Sequence, residues 1–148
     1  MKSAGHAKVR QLELEEVPQM ITVWKRAGLP FRPTGRDSLS RLRSQARCSP
    51  DLFLGAFIED ELVGVVLGSD DGRRGWINRL AVVPEARRSG VGGALVKACE
   101  KALRRRGRQL FCTTIEKHNR TSMSLFEDLG YKQEDYIVYL TKRRDKSY

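Results

Sequence analysis

LAVVPEARRSGVGGALVKACEKAL, residues 80–103, reads as a buried strand, a glycine-loosened turn and an amphipathic helix in direct succession. Pro84 ends the strand by removing a backbone donor. Gly90, Gly92 and Gly93 leave the backbone open at a helix start, where unpaired amides and the positive end of the helix dipole favour an anion. Arg87 and Arg88 stand beside this turn, so the segment predicts a cradle for a di- or polyphosphate. The helix carries Val91, Ala94, Leu95, Ala98 and Ala102 on one stripe, a narrow face suited to close approach to a sheet, and Gly107 breaks it.

Working backwards, WINRLAVV (76–83) is preceded by LVGVVLG (62–68) and LFLGAFI (52–58), two apolar strands joined by the polar turn EDE as a hairpin. KVRQLEL (8–14) alternates as a first strand. Val17, Met20, Ile21 and Trp24 recur at helical spacing until Gly28 and Pro30, which predicts a helix over 15–27. RDSLSRLRSQA (36–46) reads as a second helix with Asp37 as N-cap, and GLPFRPTG (28–35) as the loop between them. Forwards, RQLFCTTI (108–115) predicts a strand parallel to the third, because a whole helix intervenes. A helix over 121–129 and a closing strand, DYIVYLT (135–141), complete the pattern.

The 148 residues, 40% of them apolar, fit a single domain over 8–142 between a loose tail at 1–7 and a basic tail at 143–148. No apolar stretch approaches the ~20 residues needed to span a bilayer, and the amino terminus carries no apolar signal segment. Cys48, Cys99 and Cys112 lack a paired spacing, which suits reduced thiols in a cytoplasmic protein, and with only His6 and His118 beside them no metal site is expected. Lys and Arg number 28 against 18 Asp and Glu, a formal charge of +10. Much of the excess lies in RRRGR (104–108) and KRRDK (142–146) without interleaved aromatics, which favours a solvated basic surface over a nucleic-acid site.

Rival nucleotide loops do not fit. Leu95 stands where a dinucleotide fingerprint needs its third glycine, and no Gly-Lys-Ser/Thr follows. RRSGVG (87–92), preceded by LAVVP and followed by GAL, does fit R-x-x-G-x-G, and here the chain resembles the GNAT superfamily of acyl-CoA-dependent N-acetyltransferases. NRTSMSLFEDLGY (119–131) is similar to the second signature of that family, an Asn opening a helix that ends in a Gly-aromatic pair. The order of elements agrees over roughly residues 8–141, and GRRGWINRLAVVPE is similar to a bacterial branch of generic acetyltransferases.

The resemblance implies an α/β fold: a mixed, mostly antiparallel twisted sheet with a central parallel strand pair that splays apart, flanked by about four helices. It implies acetyl-CoA as cosubstrate in that gap. The pyrophosphate would take backbone amides from Arg88, Ser89, Gly90, Val91, Gly92 and Gly93 with Arg87 alongside. Main-chain groups of Leu80, Ala81 and Val82 would pair with the pantetheine arm, and Asn119 and Phe126 would lie near it. The acceptor would be a primary amine, a small molecule or a peptide amino terminus. Arg32, Arg36, Arg73, Arg74 and Arg79 near the acceptor side suggest that it carries an anionic group. Family members often dimerise.

The catalytic half departs from the family. Carboxylates are expected at places held here by Trp76 and Thr114, and the Tyr that serves as general acid is replaced by Phe126. Glu116, two residues past Thr114 and therefore on its strand face, is the leading base, equally readable as a solvated strand-end carboxylate. Asp70 and Asp71 are explained by a DDG turn. Tyr136 or Tyr139 could replace the acid, and Tyr131 reads as structural. Cys112 invites an acyl-cysteine route, against which direct transfer in a ternary complex is preferred. His118 reads as surface. The vacant positions leave a second reading, a noncatalytic acyl-CoA-binding module.

Overall fold

The computed structural model describes residues 6–148; the start of the predicted amino-terminal tail lies outside the described residues. Five strands form one sheet in sequence order: β1 (Lys8–Gln11), β2 (Phe53–Ile58), β3 (Glu61–Asp70), β4 (Gly75–Val82) and β5 (Phe111–Cys112). The first three pairings are antiparallel and β4 with β5 is parallel. Four α-helices accompany them: α1 (Val17–Ala27), α2 (Leu39–Cys48), α3 (Val91–Arg105) and α4 (Arg120–Asp128). No described helix is long and apolar enough to cross a membrane.

Glu59 and Asp60, at φ 49° and 65°, make the tight β2–β3 turn, two left-handed residues whose twist matches the flanking strands. Every residue of β2 is buried, as are residues 62–68 of β3, both alternating faces included. The sheet is therefore covered on two sides. Helix α1 lies on β3 and β4, and α3 spans β2, β3 and β4.

The way α3 approaches the sheet differs from expectation. Its buried residues are Val91, Leu95, Val96, Cys99, Ala102 and Leu103, while Ala94 and Ala98 are only half-buried. Close approach comes from glycines on the strands. A Cβ at Gly64 would lie 2.9 Å from Leu95 Cδ1, and one at Gly68 would lie 2.7 Å from Cys99 Sγ. The large side chains are on the helix and the small residues on the sheet, the same interdigitation with the partners exchanged.

Three local expectations are corrected. Asp37 does not cap α2: Ser38 does, its Oγ accepting the Arg41 N–H, and Asp37 is buried instead. The strand expected over 108–115 shrinks to Phe111–Cys112, because β5 meets β4 only at Gly75↔Phe111 and Trp76↔Cys112 and a strand without a partner has no ladder to define it. The closing strand at 135–141 does not form. Tyr136, Ile137, Val138, Tyr139 and Leu140 are all exposed, and no described strand pairs with them. Beyond them the tail turns back to the body, with the Arg36 N–H donating to Ser147 O at 3.3 Å and Arg41 Nη2 to the Tyr148 hydroxyl at 2.8 Å.

The turn before β4 is held by a carboxylate. Asp71 Oδ1 accepts the Arg73 and Arg74 amides at 2.8 and 2.6 Å, and Oδ2 accepts Trp76 Nε1 at 3.1 Å. These donors, the Arg74 amide foremost, hold its carboxyl down at about 2. Asp71 therefore stabilises the fold fully above its unfolded value near ~3.9, and that contribution fades as pH falls through about 2. In urea titrations wild type is expected to exceed Asp71→Ala in midpoint at pH 7, with the gap narrowing from pH 4 downward. A gap independent of pH would remove the charge from this role.

Candidate active site

Past Trp76↔Cys112, β4 runs on for six residues while the chain after β5 leaves the sheet, which opens a fork between them. A bulge shapes the β4 arm. Leu67 faces Asn78 and Val65 faces Ala81, so Arg79 and Leu80 together stand opposite Val66, with Arg79 at φ 56°. Beyond the bulge the Val83 amide donates to Val63 O at 2.9 Å. By strand alternation Ala81 also turns its polar groups to β3, and Val82 turns its own to the fork. Of Leu80, Ala81 and Val82, expected to present main-chain groups there, Ala81 is turned to β3 opposite Val65, and Val82 is turned to the fork.

Helix α3 begins beside this arm. Its N-cap, Gly90, sits at φ 82° with no side-chain cap, and Arg88 two residues earlier is left-handed at φ 63°. The first helical bond runs from the Ala94 N–H to Gly90 O at 3.0 Å, so the amides of Val91, Gly92 and Gly93 precede the ladder. Ser89 is tied back through its hydroxyl to Ala86 O. A Cβ at Gly90 or Gly93 would meet nothing within 4 Å, whereas one at Gly92 would lie 3.0 Å from Leu125 Cδ2 and 3.9 Å from Val82 Cγ2. An open, uncapped helix start next to a strand with a free main-chain edge fits a pyrophosphate followed by an extended arm.

Arg87 has a different job from the one expected. Its Nε donates to Val82 O at 3.1 Å and its Nη2 to Ala27 O at 3.0 Å, stitching the last turn of α1 to the end of β4. That takes up the Val82 carbonyl as well, leaving the Val82 amide facing the fork. Arg88 remains exposed at the cradle.

On the other arm, Asn119 caps α4, its Oδ1 accepting the Ser122 amide at 3.2 Å. Phe126 is not at the surface of the fork: it is buried, edge-on to Tyr131 with ring centres 4.9 Å apart. Tyr131 donates to Glu100 Oε2 at 2.7 Å, and burial together with that carboxylate pushes its hydroxyl far above the ordinary phenol range. Phe126 and Tyr131 are packing residues. Cys99, on the buried face of α3, is pushed up to about 12 and stays a thiol; Cys112 is also raised by burial, which disfavours a thiolate nucleophile.

Glu116 lies on the irregular segment after β5, not on a strand face shared with Thr114. Its carboxylate is 3.2 Å from His118 Nε2, both side chains being largely solvated. Trp76 is spent on Asp71, and Asp70 accepts the Gly72 amide and lies 2.7 Å from Arg108 Nε.

One charged group escaped the sequence reading. Asp37 is the single buried charged residue among those described, accepting the Arg32 N–H at 2.7 Å. It lies 3.6 Å from Nη2 of Arg79, whose guanidinium is stacked 4.4 Å above the Trp24 ring, and 3.7 Å from Arg36 Nε. Thus the Arg36 and Arg79 side chains and the Arg32 backbone amide converge on one carboxylate beside the β4 bulge, while Arg73 and Arg74 stay on the turn before β4. The signal was an Asp next to a capping Ser, which local pattern alone reads as a cap. A surface hollow of about 420 Å³ between α1 and the β2–β3 turn, lined by Gln19, Arg26 and Glu59 among others, lies apart from the cradle.

Comparison with known proteins agrees with this geometry. A family model described as acetyltransferase (GNAT) family matches residues 17–131. "Acetyltransferase SG1711" of Sodalis glossinidius (strain morsitans) is 32% identical over 136 residues, covering 92% of this chain and 94% of that protein. Among solved structures, the PaiA N-acetyltransferase of Thermoplasma acidophilum in complex with coenzyme A superposes with a TM-score of 0.77 at 21% identity, over 89% of this chain and 93% of that one. AAC(6')-Iy in complex with a bisubstrate analogue, CoA-S-monomethyl-acetylneamine, gives 0.77 at 17% identity over 94% and 99%. A family match over most of the chain, a full-length acetyltransferase relative and an uncapped glycine helix start beside a forked parallel pair together establish that this chain belongs to the GNAT acetyltransferase family.

Proposed function

We infer that this acetyltransferase moves an acetyl group from acetyl-CoA directly to a primary amine, both held in the fork between β4 and the segment after β5. The observation that carries the reading is the uncapped start of α3, where the amides of Val91, Gly92 and Gly93 face outward beside the β4 arm. Bound acetyl-CoA supplies the acetyl group as an activated thioester. The chain supplies position and proton handling. The α3 amides hold the pyrophosphate, the Val82 amide receives the arm, and Arg88 adds a cation.

An alkyl ammonium with pKa near ~10 must lose a proton before it can attack, and Glu116 is the carboxylate best placed along the second arm to receive it through water. A departing thiol with pKa near ~8.5 leaves largely without proton donation, which makes the buried Phe126 compatible with turnover. The arginines around Asp37 favour an acceptor that carries a carboxylate or phosphate besides its amine. PaiA and the aminoglycoside enzyme AAC(6')-Iy lend the reading support as folds crystallised with coenzyme A or a CoA-linked analogue.

Calorimetric titration with acetyl-CoA and CoA, followed by thiol release across an amine panel, tests this reading. Glu116→Gln is expected to lower turnover by about a hundredfold with little change in acetyl-CoA affinity. Unchanged turnover would remove Glu116 from the chemistry. A noncatalytic CoA-binding module, favoured by Trp76 and Thr114 where carboxylates are expected, predicts binding without turnover of any amine.

A further inference from the structure

Val82 is the point where the cradle gives way to the β4 arm. A Cβ at Gly92, in the first turn of α3, would lie 3.9 Å from its Cγ2. Its neighbours on either side are turned to β3: the Val83 amide donates to Val63 O at 2.9 Å, and Ala81 stands opposite Val65. A strand residue points its N–H and its C=O to the same side, so both main-chain groups of Val82 lie on the fork edge. A bare edge would offer an incoming extended chain one donor and one acceptor at this point.

Arg87 takes the acceptor away. Its Nε donates to Val82 O at 3.1 Å, and the same guanidinium is pinned by Nη2, which donates to Ala27 O at 3.0 Å. Ala27 is the last residue of α1, so its carbonyl lies beyond the helix ladder at the negative end of the dipole, where a cation is favoured. Meeting two carbonyls from different elements at once suits the planar fork of a guanidinium. Arg26, one residue earlier, donates to Glu85 Oε2 at 3.0 Å, so the end of α1 and the segment between β4 and α3 are joined twice. With its carbonyl occupied, Val82 can only donate. An arm whose amides carry both polarities can place a carbonyl there, whereas an N–H would meet the donors of Arg87.

We propose that Arg87 is a positioning residue that sets the register of the cosubstrate arm on β4, by filling the Val82 carbonyl so that only an acceptor atom of the arm fits beside Val82. It acts through Val82 and is not a ligand of the phosphates. This role rests on the reading that the arm of acetyl-CoA lies in the fork. Without Arg87 the edge regains its acceptor and the arm can pair in a second register. The thioester then stands in the wrong place for attack at little cost in affinity, and a misplacement of ~1 Å is enough to slow a transfer.

Arg87→Ala and Arg87→Gln test this against wild type, with circular dichroism of each. Calorimetry gives Kd for acetyl-CoA, and turnover is followed with the most active amine of the panel, using acetyl-CoA and S-acetylpantetheine, which has the arm without the phosphates. Arg87→Ala is expected to lower kcat about tenfold or more with both thioesters, while Kd for acetyl-CoA stays within about threefold. Arg87→Gln keeps a neutral amide donor and is expected to recover part of the loss; if Arg87→Ala does not fold, a drop in kcat at unchanged Kd in Arg87→Gln is the result expected. A merely weakened fold would not lower kcat while leaving Kd in place. A loss confined to acetyl-CoA, or a weaker Kd with kcat retained, would make Arg87 a phosphate ligand and overturn the proposal. Wild-type kcat and Kd in the folded variants overturn it as well. A wild type that binds no acetyl-CoA or acetylates no amine brings down the proposal together with the reading it rests on, an outcome distinct from an active wild type matched by its variants.

Discussion

Replacing Gly92 by tryptophan is expected to weaken acetyl-CoA binding by about a hundredfold or more, roughly 2.7 kcal/mol, with a wild-type circular dichroism spectrum. A side chain at position 92 points between Leu125 and Val82, the junction of α4, the start of α3 and the β4 arm. The clash there, 3.0 Å to a leucine methyl, is with the far end of a flexible side chain, so the fold can yield by rotating Leu125. The indole then occupies the mouth of the fork. Gly93→Ala is the control. Its Cβ meets nothing within 4 Å, and alanine favours a helix over glycine by about 0.5–1 kcal/mol, so thermal stability should rise slightly. Calorimetry on the two variants separates occlusion of the fork from a general effect of side chains at this turn. Wild-type affinity in Gly92→Trp would contradict placement of the cosubstrate there.

The largest effect on stability is expected for Trp24→Ala, a loss of about 3–5 kcal/mol read as a shift in the urea midpoint. Trp24 is fully buried in α1 and tilts against Phe31 with ring centres 6.1 Å apart. The Arg79 guanidinium lies over its ring at 4.4 Å. Truncation opens a cavity large enough to matter and leaves a mostly buried cation above it, near Asp37 but not hydrogen-bonded to it. Burial already lowers the pKa of Arg79, the expected direction for a desolvated cation. Trp24→Phe keeps an aromatic platform and should recover most of the loss. Equal destabilisation by Phe and Ala would show that volume alone, and not support of Arg79, sets the cost.

Arg79 links the two halves of the site. Its left-handed backbone lies in the β4 bulge, and its side chain reaches the α1–α2 connection through Asp37. The bulge that re-aims the β4 arm is thereby anchored to the loop between α1 and α2. The anionic acceptor proposed above would compete with Asp37 for Arg36 and Arg79.

Residues 80–103 by themselves determined a strand, a turn that needs glycine at a left-handed N-cap, and a helix, because these follow from local sterics and backbone donors that any context must respect. The β2–β3 hairpin, the helix stop at Gly28 and the Asn119 cap were legible for the same reason. Tertiary structure decided what local pattern leaves open. Arg87 could be read as a phosphate ligand until the fold brought Ala27 and Val82 within reach of its guanidinium. Asp37 read as a cap until Arg79 and the Arg32 amide drew it inward. The strands expected at 108–115 and 135–141 have the right residues, but a strand exists only where a neighbour completes its ladder. Among the described residues, β5 has two residues of partner and no strand pairs with residues 136–140.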